Sequence, residues 1–241
     1  MQSFLGSTSA LLGVEDLDWE DEEDQAEDRV AVKPGVDDRT NRKQKATTLP
    51  PNTALMIIDV QPEYWSQCPQ VSCDFPNFPE RCHTLIQHYR NSSSSNITFV
   101  RANYTPKGSL WLPSFQSFPE RKGTLLPTAG NDDAPLLWEH FATPIDGEQI
   151  LTKPNWNVAT HNDDFVQNLR DKGVDTVVMC GLITSVCVQH SAYGMFERGF
   201  NVIVATDACA DRGRQRHEAA LMLYGNYLWR SMTVDEICVA E

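Results

Sequence analysis

Short runs of apolar residues recur along the chain from Thr53 onward. The five runs cover residues 54–59, 97–102, 148–153, 174–181 and 200–208. Runs of this length, with few polar residues between the apolar ones, are typical of strands buried on both faces of a parallel sheet. We therefore predict five core strands in this part of the chain.

Segments with helical spacing of apolar residues separate these runs. The segments cover residues 79–89, 163–172, 184–198 and 214–227. Gly173 and Gly199 follow two of them, at the position where a left-handed residue commonly ends a helix. Because strands and helices alternate, the sequence predicts a doubly wound α/β fold.

One long stretch, residues 105–147, is rich in Pro and Trp and only weakly periodic. Long ordered loops in compact domains are often functional. We expect a covering loop or short helices over the site here.

The first 50 residues differ in texture from the rest of the chain. Ten of the fourteen residues from Glu15 to Asp28 are acidic. Such a segment buries too little apolar surface to offset its ordering entropy, so residues 1–50 are predicted to be a disordered tail and 51–241 a folded domain. The alternative is an acidic arm, anchored by Leu17 and Trp19, that docks on a partner or a neighbouring subunit.

Charge and composition exclude several classes of protein. Acidic residues outnumber Lys and Arg by 33 to 20, for a net charge of -13. This balance argues against nucleic-acid binding, which requires an excess of cationic side chains. No leader or membrane span is visible, and the seven cysteines are odd in number without zinc-module spacing. We expect a cytoplasmic protein in a reducing compartment, with no membrane partner.

Three reactive residue types lie at predicted strand ends. In open parallel sheets, ligands bind beyond the carboxyl ends of the strands. Asp59 ends the first strand, Lys153 ends the third, and Cys187 lies in the first turn of the helix after the fourth. A helix N-terminus and a nearby ammonium lower the pKa of a thiol, and a carboxylate can accept its proton. Together the three residues predict a nucleophilic site.

Each of these residues also has a simpler interpretation. Cys187 can be core, Asp59 a turn former and Lys153 a surface lysine. Their joint placement at three strand ends favours catalysis, because each simpler reading would have to hold independently. A substrate pocket is predicted from nearby residues, for which core packing is the alternative. These pocket residues are Gln61, Tyr64, Trp65 and Trp156.

Three motifs resemble the isochorismatase-like superfamily of cysteine hydrolases. They are IIDVQPEYW (57–65), LTKPNWNVA (151–159) and CGLITSVCVQHSAYGMFERGFNVIVATDACAD (180–211). The resemblance covers about residue 53 to the C-terminus. It implies a mainly parallel six-stranded sheet with helices on both faces, often in dimers or tetramers. It also implies an Asp59–Lys153–Cys187 triad, a cis peptide at Leu182–Ile183, and an oxyanion hole formed by the N–H groups of Ile183 and Cys187.

The chain departs from the family pattern in informative places. Nicotinamidase relatives carry an Asp-x-His metal motif where this chain has Asn103 and Thr105, which are poor ligands for zinc or iron. We therefore expect no metal and no cofactor. Members that cleave isochorismate commonly have Gly where this chain has Cys187. Ala159 stands where the lysine motif usually has Phe, which leaves the substrate open.

The leading hypothesis is hydrolysis of a small amide or ureido-type C–N bond through a thioester on Cys187. The first alternative is an isochorismatase, in which Asp59 protonates the vinyl ether of isochorismate and pyruvate is released. The second is a catalytically idle binding or scaffold protein that acts through its acidic tail. The expected partners are a small-molecule substrate and further copies of the same chain.

Overall fold

The computed structural model describes residues 49–50, 52–92, 96–131 and 133–239. It contains six strands. They are β1 (Thr53–Ile58), β2 (Ile97–Ala102), β3 (Gln149–Lys153), β4 (Thr176–Leu182), β5 (Asn201–Ala210) and β6 (Arg230–Met232). The five predicted strands are all present, with ends shifted by at most two residues. Strand β6 was not visible in the apolar pattern because it is only three residues long.

The six strands form one sheet in the order β3-β2-β1-β4-β5-β6, and every neighbouring pair is parallel. The predicted doubly wound α/β fold is therefore confirmed, and the sheet is parallel throughout. Chain order reverses between β1 and β4, and ligand crevices of open α/β sheets lie at such a reversal. Every residue of these two strands is buried.

Helices cover both faces of the sheet. They are α1 (Pro69–Asp74), α2 (Phe78–Asn91), α3 (Leu112–Ser117), α4 (Asp163–Asp171), α5 (Gln189–Glu197), α6 (Arg214–Tyr224) and α7 (Val234–Val239). The apolar sides of α2 and α7 pack with Leu55 and Ile57 on one face. Those of α4 and α5 pack with Met56 and Ile58 on the other. Alternate residues of β1 thus serve two separate cores, as expected of a strand covered on both sides.

Two predicted helices differ from the observed ones. The segment 184–198 begins as a π-helix over Thr184–Val188 before α5. Helix α6 ends at Tyr224, three residues early, because Gly225 and the left-handed Asn226 turn the chain towards β6.

The stretch 105–147 holds short helices, as expected: α3 and 3₁₀ turns at Pro119–Arg121 and His140–Ala142. All seven cysteines lie within the described residues, and no disulfide bond joins them. Within the described ranges, no helix is both long and apolar enough to cross a membrane. The predicted tail lies outside the described residues except for 49 and 50, so the division at residue 50 stays a prediction.

Candidate active site

Asp59 directly follows β1, and its side chain is fully buried. Its backbone takes a left-handed conformation with φ 49°, which is uncommon for a residue other than Gly and often marks a functional turn. Its backbone N–H donates to the Val100 carbonyl across the neighbouring strand at 2.8 Å. The Oδ2 atom accepts a hydrogen bond from Lys153, whereas Oδ1 is buried and accepts none within the described part of the chain.

Lys153 ends β3, and its side chain is also fully buried. Its Nζ donates to Asp59 Oδ2 at 2.6 Å and to the Asn155 carbonyl at 3.0 Å. Burial alone would lower the pKa of Lys153, but the Asp59 carboxylate and the Cys187 sulfur outweigh it and raise that pKa. Lys153 is therefore an ammonium that is shared between Asp59, the Asn155 carbonyl and the Cys187 sulfur.

The pKa of the Asp59 carboxyl is raised by burial, which disfavours its charged form, while the Lys153 ammonium opposes that rise. The Asp59 carboxylate therefore takes up a proton more readily than an exposed carboxylate does. A group of this kind suits the transfer of a proton during a reaction.

Cys187 lies in the π-helix and is 2 % exposed. Single π-helical turns within helices are frequent at functional sites. Burial and the nearby Asp59 carboxylate raise the pKa of this thiol to about 12, and Lys153 offsets only part of that rise. The sequence-based expectation of a lowered thiol pKa is therefore wrong for the resting protein, because desolvation outweighs the ammonium and the helix end.

The turn between β4 and the π-helix sets the position of Cys187. Its Leu182–Ile183 peptide bond is cis, as the family resemblance implied. Gly181 has φ 122°, and a Cβ atom there would lie 2.1 Å from the Ile58 carbonyl oxygen. Only Gly allows β4 to approach the end of β1 so closely. The turn therefore starts directly beside Asp59.

Two polar groups hold the first residues of the π-helix. Asp211, buried after β5, accepts a hydrogen bond from the Ser185 N–H at 2.6 Å. The Thr184 hydroxyl donates to the Ala210 carbonyl at 3.0 Å and lies 2.9 Å from His217 Nδ1. Because a hydroxyl has one proton, His217 Nδ1 is the donor in the second contact. The helix that carries the thiol is thus tied to the end of β5.

Tyr64, one of the expected pocket residues, lies near the reactive groups. Its buried phenol is near enough to Cys187 and Asp59 that, after burial itself, their charges raise its pKa well above its usual range. Gln61 serves the fold instead: its amide donates to the Ala102 carbonyl at 3.2 Å and accepts from the Ala102 N–H at 2.8 Å. The Gln61 side chain is fully buried, and these two contacts hold it against the end of β2.

The two expected tryptophans lie in different surroundings. Trp65 packs against Phe78 and Phe141, with ring centroids 5.0 Å and 5.9 Å away, so it is part of the core next to α2 rather than of the triad's surroundings. Trp156 is partly buried and lies 5.0 Å from Trp111, whose ring in turn meets Tyr104 edge-on at 4.9 Å. These three rings form an aromatic layer whose Tyr104 end lies at Cys187.

Sequence reasoning missed Tyr104, whose hydroxyl lies 3.5 Å from the Cys187 sulfur. Tyr104 lies two residues after β2, so its place near the carboxyl end of a strand is the signal that could have identified it. His217 carried no such signal, because its contact with Thr184 joins distant parts of the chain. Asp207, which lies within β5, caps α7 by accepting from the Val234 N–H at 2.8 Å.

The segment that corresponds to the metal motif of relatives is engaged in loop contacts. The Thr128 hydroxyl donates to the Asn103 side-chain oxygen, and the Thr105 hydroxyl accepts from the Gly108 N–H at 3.1 Å. Among the described residues, no three His, Cys, Asp or Glu side chains lie together as metal ligands would.

The comparisons with known proteins agree on one family. The model of the isochorismatase domain matches residues 53–236. An uncharacterized isochorismatase family protein of Bacillus subtilis, YwoC, is 33 % identical over 76 % of this chain and 91 % of its own length. Nicotinamidase 3 of Arabidopsis thaliana is 30 % identical over 76 % of this chain and 87 % of its own. The solved cysteine hydrolase of Pseudomonas syringae shares the fold, with a TM-score of 0.64 and 19 % identity over 78 % of this chain and 92 % of that one.

Proposed function

The chain belongs to the isochorismatase family of hydrolases, and we propose that it hydrolyses a small amide or ureido-type C–N bond through a covalent intermediate on Cys187. The observation that carries this proposal is the meeting of a buried carboxyl, an ammonium and a thiol at the ends of β1, β3 and β4. The 30 % identical relative named as a nicotinamidase supports an amide as the substrate class.

In the first half of the proposed reaction, the Cys187 thiol gives its proton to Asp59 Oδ1, the carboxylate oxygen without a hydrogen bond. The sulfur attacks the substrate carbonyl carbon, and the carbonyl π electrons move to its oxygen. The N–H groups of Ile183 and Cys187 are proposed to bind this oxyanion. Asp59 then returns the proton to the leaving nitrogen as the C–N bond breaks, which leaves a thioester and releases ammonia or an amine.

In the second half, Asp59 accepts a proton from water as that water attacks the thioester carbon. The C–S bond breaks, a carboxylic acid leaves, and the proton returns to the sulfur. Because the high pKa of the Cys187 thiol makes a free thiolate rare at neutral pH, the thiol proton is transferred to Asp59 as the sulfur attacks. Lys153 holds Asp59 in place and opposes the rise in the carboxyl pKa.

A second candidate function is isochorismate hydrolysis with release of pyruvate. The raised pKa of Asp59 favours it, because a buried carboxyl that protonates more readily can serve as a general acid towards a vinyl ether. In this mechanism Cys187 forms no bond to the substrate and is only a neighbouring group.

Purified wild-type and Cys187→Ala proteins, incubated with small amides, ureido acids and isochorismate, separate the two functions. Ammonia release by the wild type that is lost in Cys187→Ala supports thiol-dependent C–N hydrolysis. Pyruvate release that survives in Cys187→Ala supports the second function and overturns the first. Cys73→Ala, which removes an exposed thiol, is the matched control and should behave as wild type. Circular dichroism checks that each variant is folded.

A further inference from the structure

Tyr104 contacts the proposed nucleophile, yet the mechanism above gives it no task. Its side chain is fully buried, and its hydroxyl lies 3.5 Å from the Cys187 sulfur. This distance is within hydrogen-bond range for sulfur. Either the phenol or the thiol can donate in the resting protein, but once the sulfur is an anion only the phenol can.

The Tyr104 ring is fixed on several sides. Trp111 meets it edge-on at 4.9 Å, and the Lys153 ammonium lies 5.8 Å from its centroid. The backbone N–H of Tyr104 donates to the Pro127 carbonyl at 3.1 Å. Trp111 is itself anchored, since its indole N–H donates to the Pro154 carbonyl at 3.0 Å. The hydroxyl is therefore held at the sulfur by packing, without help from a substrate.

The charged and titratable groups around the hydroxyl and the sulfur are Asp59, Lys153 and Tyr64, with Arg212 beyond the Tyr64 ring at 5.9 Å. Burial, followed by the charges of Cys187 and Asp59, raises the pKa of Tyr104 well above its usual range. The phenol therefore keeps its proton at every pH at which the protein would work, so it can donate but cannot act as a base.

We propose that Tyr104 is a further catalytic residue, whose hydroxyl donates a hydrogen bond to the Cys187 sulfur while that sulfur carries negative charge. The charge appears when the thiol proton leaves for Asp59 and again when the C–S bond of the thioester breaks. No proton leaves the phenol in either step. The role in turnover rests on the proposed C–N hydrolysis, but stabilisation of the sulfur anion does not depend on any substrate.

The cationic neighbour of the sulfur is Lys153, and this ammonium is shared with other acceptors. Lys153 already donates to Asp59 and to the Asn155 carbonyl. A hydrogen bond to a charged acceptor in a dry site is roughly twice as strong as one between neutral groups. Tyr104 thus acts selectively on the anionic sulfur and little on the resting thiol, which is what acceleration of attack requires.

The test is the rate at which iodoacetamide alkylates Cys187 in Tyr104→Phe and in wild type, followed by mass spectrometry of the Cys187 peptide between pH 7 and 9. Iodoacetamide reacts with the thiolate, so loss of the hydroxyl should slow the reaction about tenfold to a hundredfold, the range for a hydrogen bond to a charged group. Exposed Cys73 in the same sample is the internal reference for reagent and pH.

Two further variants separate the hydroxyl from loosened packing. Tyr64→Phe removes the neighbouring buried hydroxyl and should slow alkylation much less than Tyr104→Phe. Tyr193→Phe changes an exposed residue and should match wild type. Alkylation of Tyr104→Phe at the wild-type rate or faster, or an equal effect of Tyr64→Phe, would overturn the proposal.

Turnover provides the second readout. With an amide substrate in hand, Tyr104→Phe should lower kcat by a similar factor and leave KM nearly unchanged, whereas a merely structural loss would alter both. If no amide is hydrolysed, the proposed function fails while the alkylation result still decides the role of Tyr104. An unchanged kcat in Tyr104→Phe overturns the catalytic role.

Discussion

Gly194 of α5 lies directly against the side chain of Asn157: a Cβ atom at Gly194 would be 2.2 Å from Asn157 Oδ1. Asn157 belongs to the loop that follows Lys153, and α5 continues the π-helix that carries Cys187. On the same loop, the Val158 N–H donates to the Ser191 hydroxyl of α5 at 3.1 Å. Lys153 and Cys187 are therefore positioned by close contacts between the loop that follows Lys153 and helix α5, which follows Cys187.

Gly194→Ala should lower the free energy of unfolding by about 1 kcal/mol. Overpacking costs about 1–3 kcal/mol, which exceeds the roughly 1 kcal/mol that Ala gains over Gly in a helix. Asn157 cannot move away freely, because its Oδ1 accepts from the Ala159 N–H at 2.8 Å. Urea unfolding measures the change. In an Asn157→Ser background the clash is gone, so Gly194→Ala should become stabilising; the same loss in both backgrounds would refute this explanation.

Lys153→Met should destabilise the protein by about 3–5 kcal/mol, because it leaves the buried Asp59 carboxylate without its partner. Adding Asp59→Asn removes the orphaned charge and should recover part of that loss. Both single variants and the double variant should be inactive. Urea unfolding and activity are measured on all of them. A double variant that is less stable than Lys153→Met would contradict the ion-pair interpretation.

Stability should fall steeply at alkaline pH. The unfolded Cys187 thiol ionises near its ordinary pKa of 9.0, whereas the folded one holds its proton to about pH 12. This contribution to stability is complete below pH 9 and is lost as the pH rises towards 12, at about 1.4 kcal/mol for each pH unit. Cys187→Ala should therefore give a shallower decline in urea unfolding between pH 9 and 11, whereas Cys73→Ala should keep the wild-type slope.

The loss of stability at acidic pH should depend on His217. Burial lowers the pKa of this imidazole below its ordinary 6.5, against the opposing charge of Asp211. Its contribution to stability is complete above pH 6.5 and is lost as the pH falls towards the lowered value in the folded protein. His217→Gln, which keeps a group able to reach Thr184, should flatten that decline in thermal unfolding between pH 5 and 7. An unchanged slope would exclude His217 as its source.

The apolar runs were enough to predict the sheet because its central strands β1 and β4 have no exposed face to interrupt them. The edge strand β3 was expected to be buried on both faces as well, but only Lys153 of its five residues is buried, because no strand covers its outer side. The same reasoning placed Asp59, Lys153 and Cys187 at strand ends, and parallel geometry brings such ends together. The runs gave no sign of β6, which is three residues long and buries only Met232. The π-helix was likewise indistinguishable from the start of α5, since both have helical periodicity.

Properties that depend on how deeply a side chain is buried, or on partners far away along the chain, could not be predicted from local sequence. The helix end and Lys153 suggested a low thiol pKa for Cys187, but complete burial reverses the sign. Trp65 follows Asp59 closely in sequence, yet the 3₁₀ turn at Pro62–Tyr64 directs it towards Phe78 in the core. In both cases the surroundings that decide the outcome are formed by residues from other parts of the chain.

The burial of Cys187 protects its thiol from oxidation. Oxidation of a cysteine by peroxide requires both a thiolate and access to solvent. Cys187 offers little of either, since it is 2 % exposed and its thiol stays protonated to about pH 12. Exposed Cys73 meets an oxidant first. The sulfur that is proposed to form the thioester is thereby kept in its reduced form between turnovers, without a disulfide partner or a reductant.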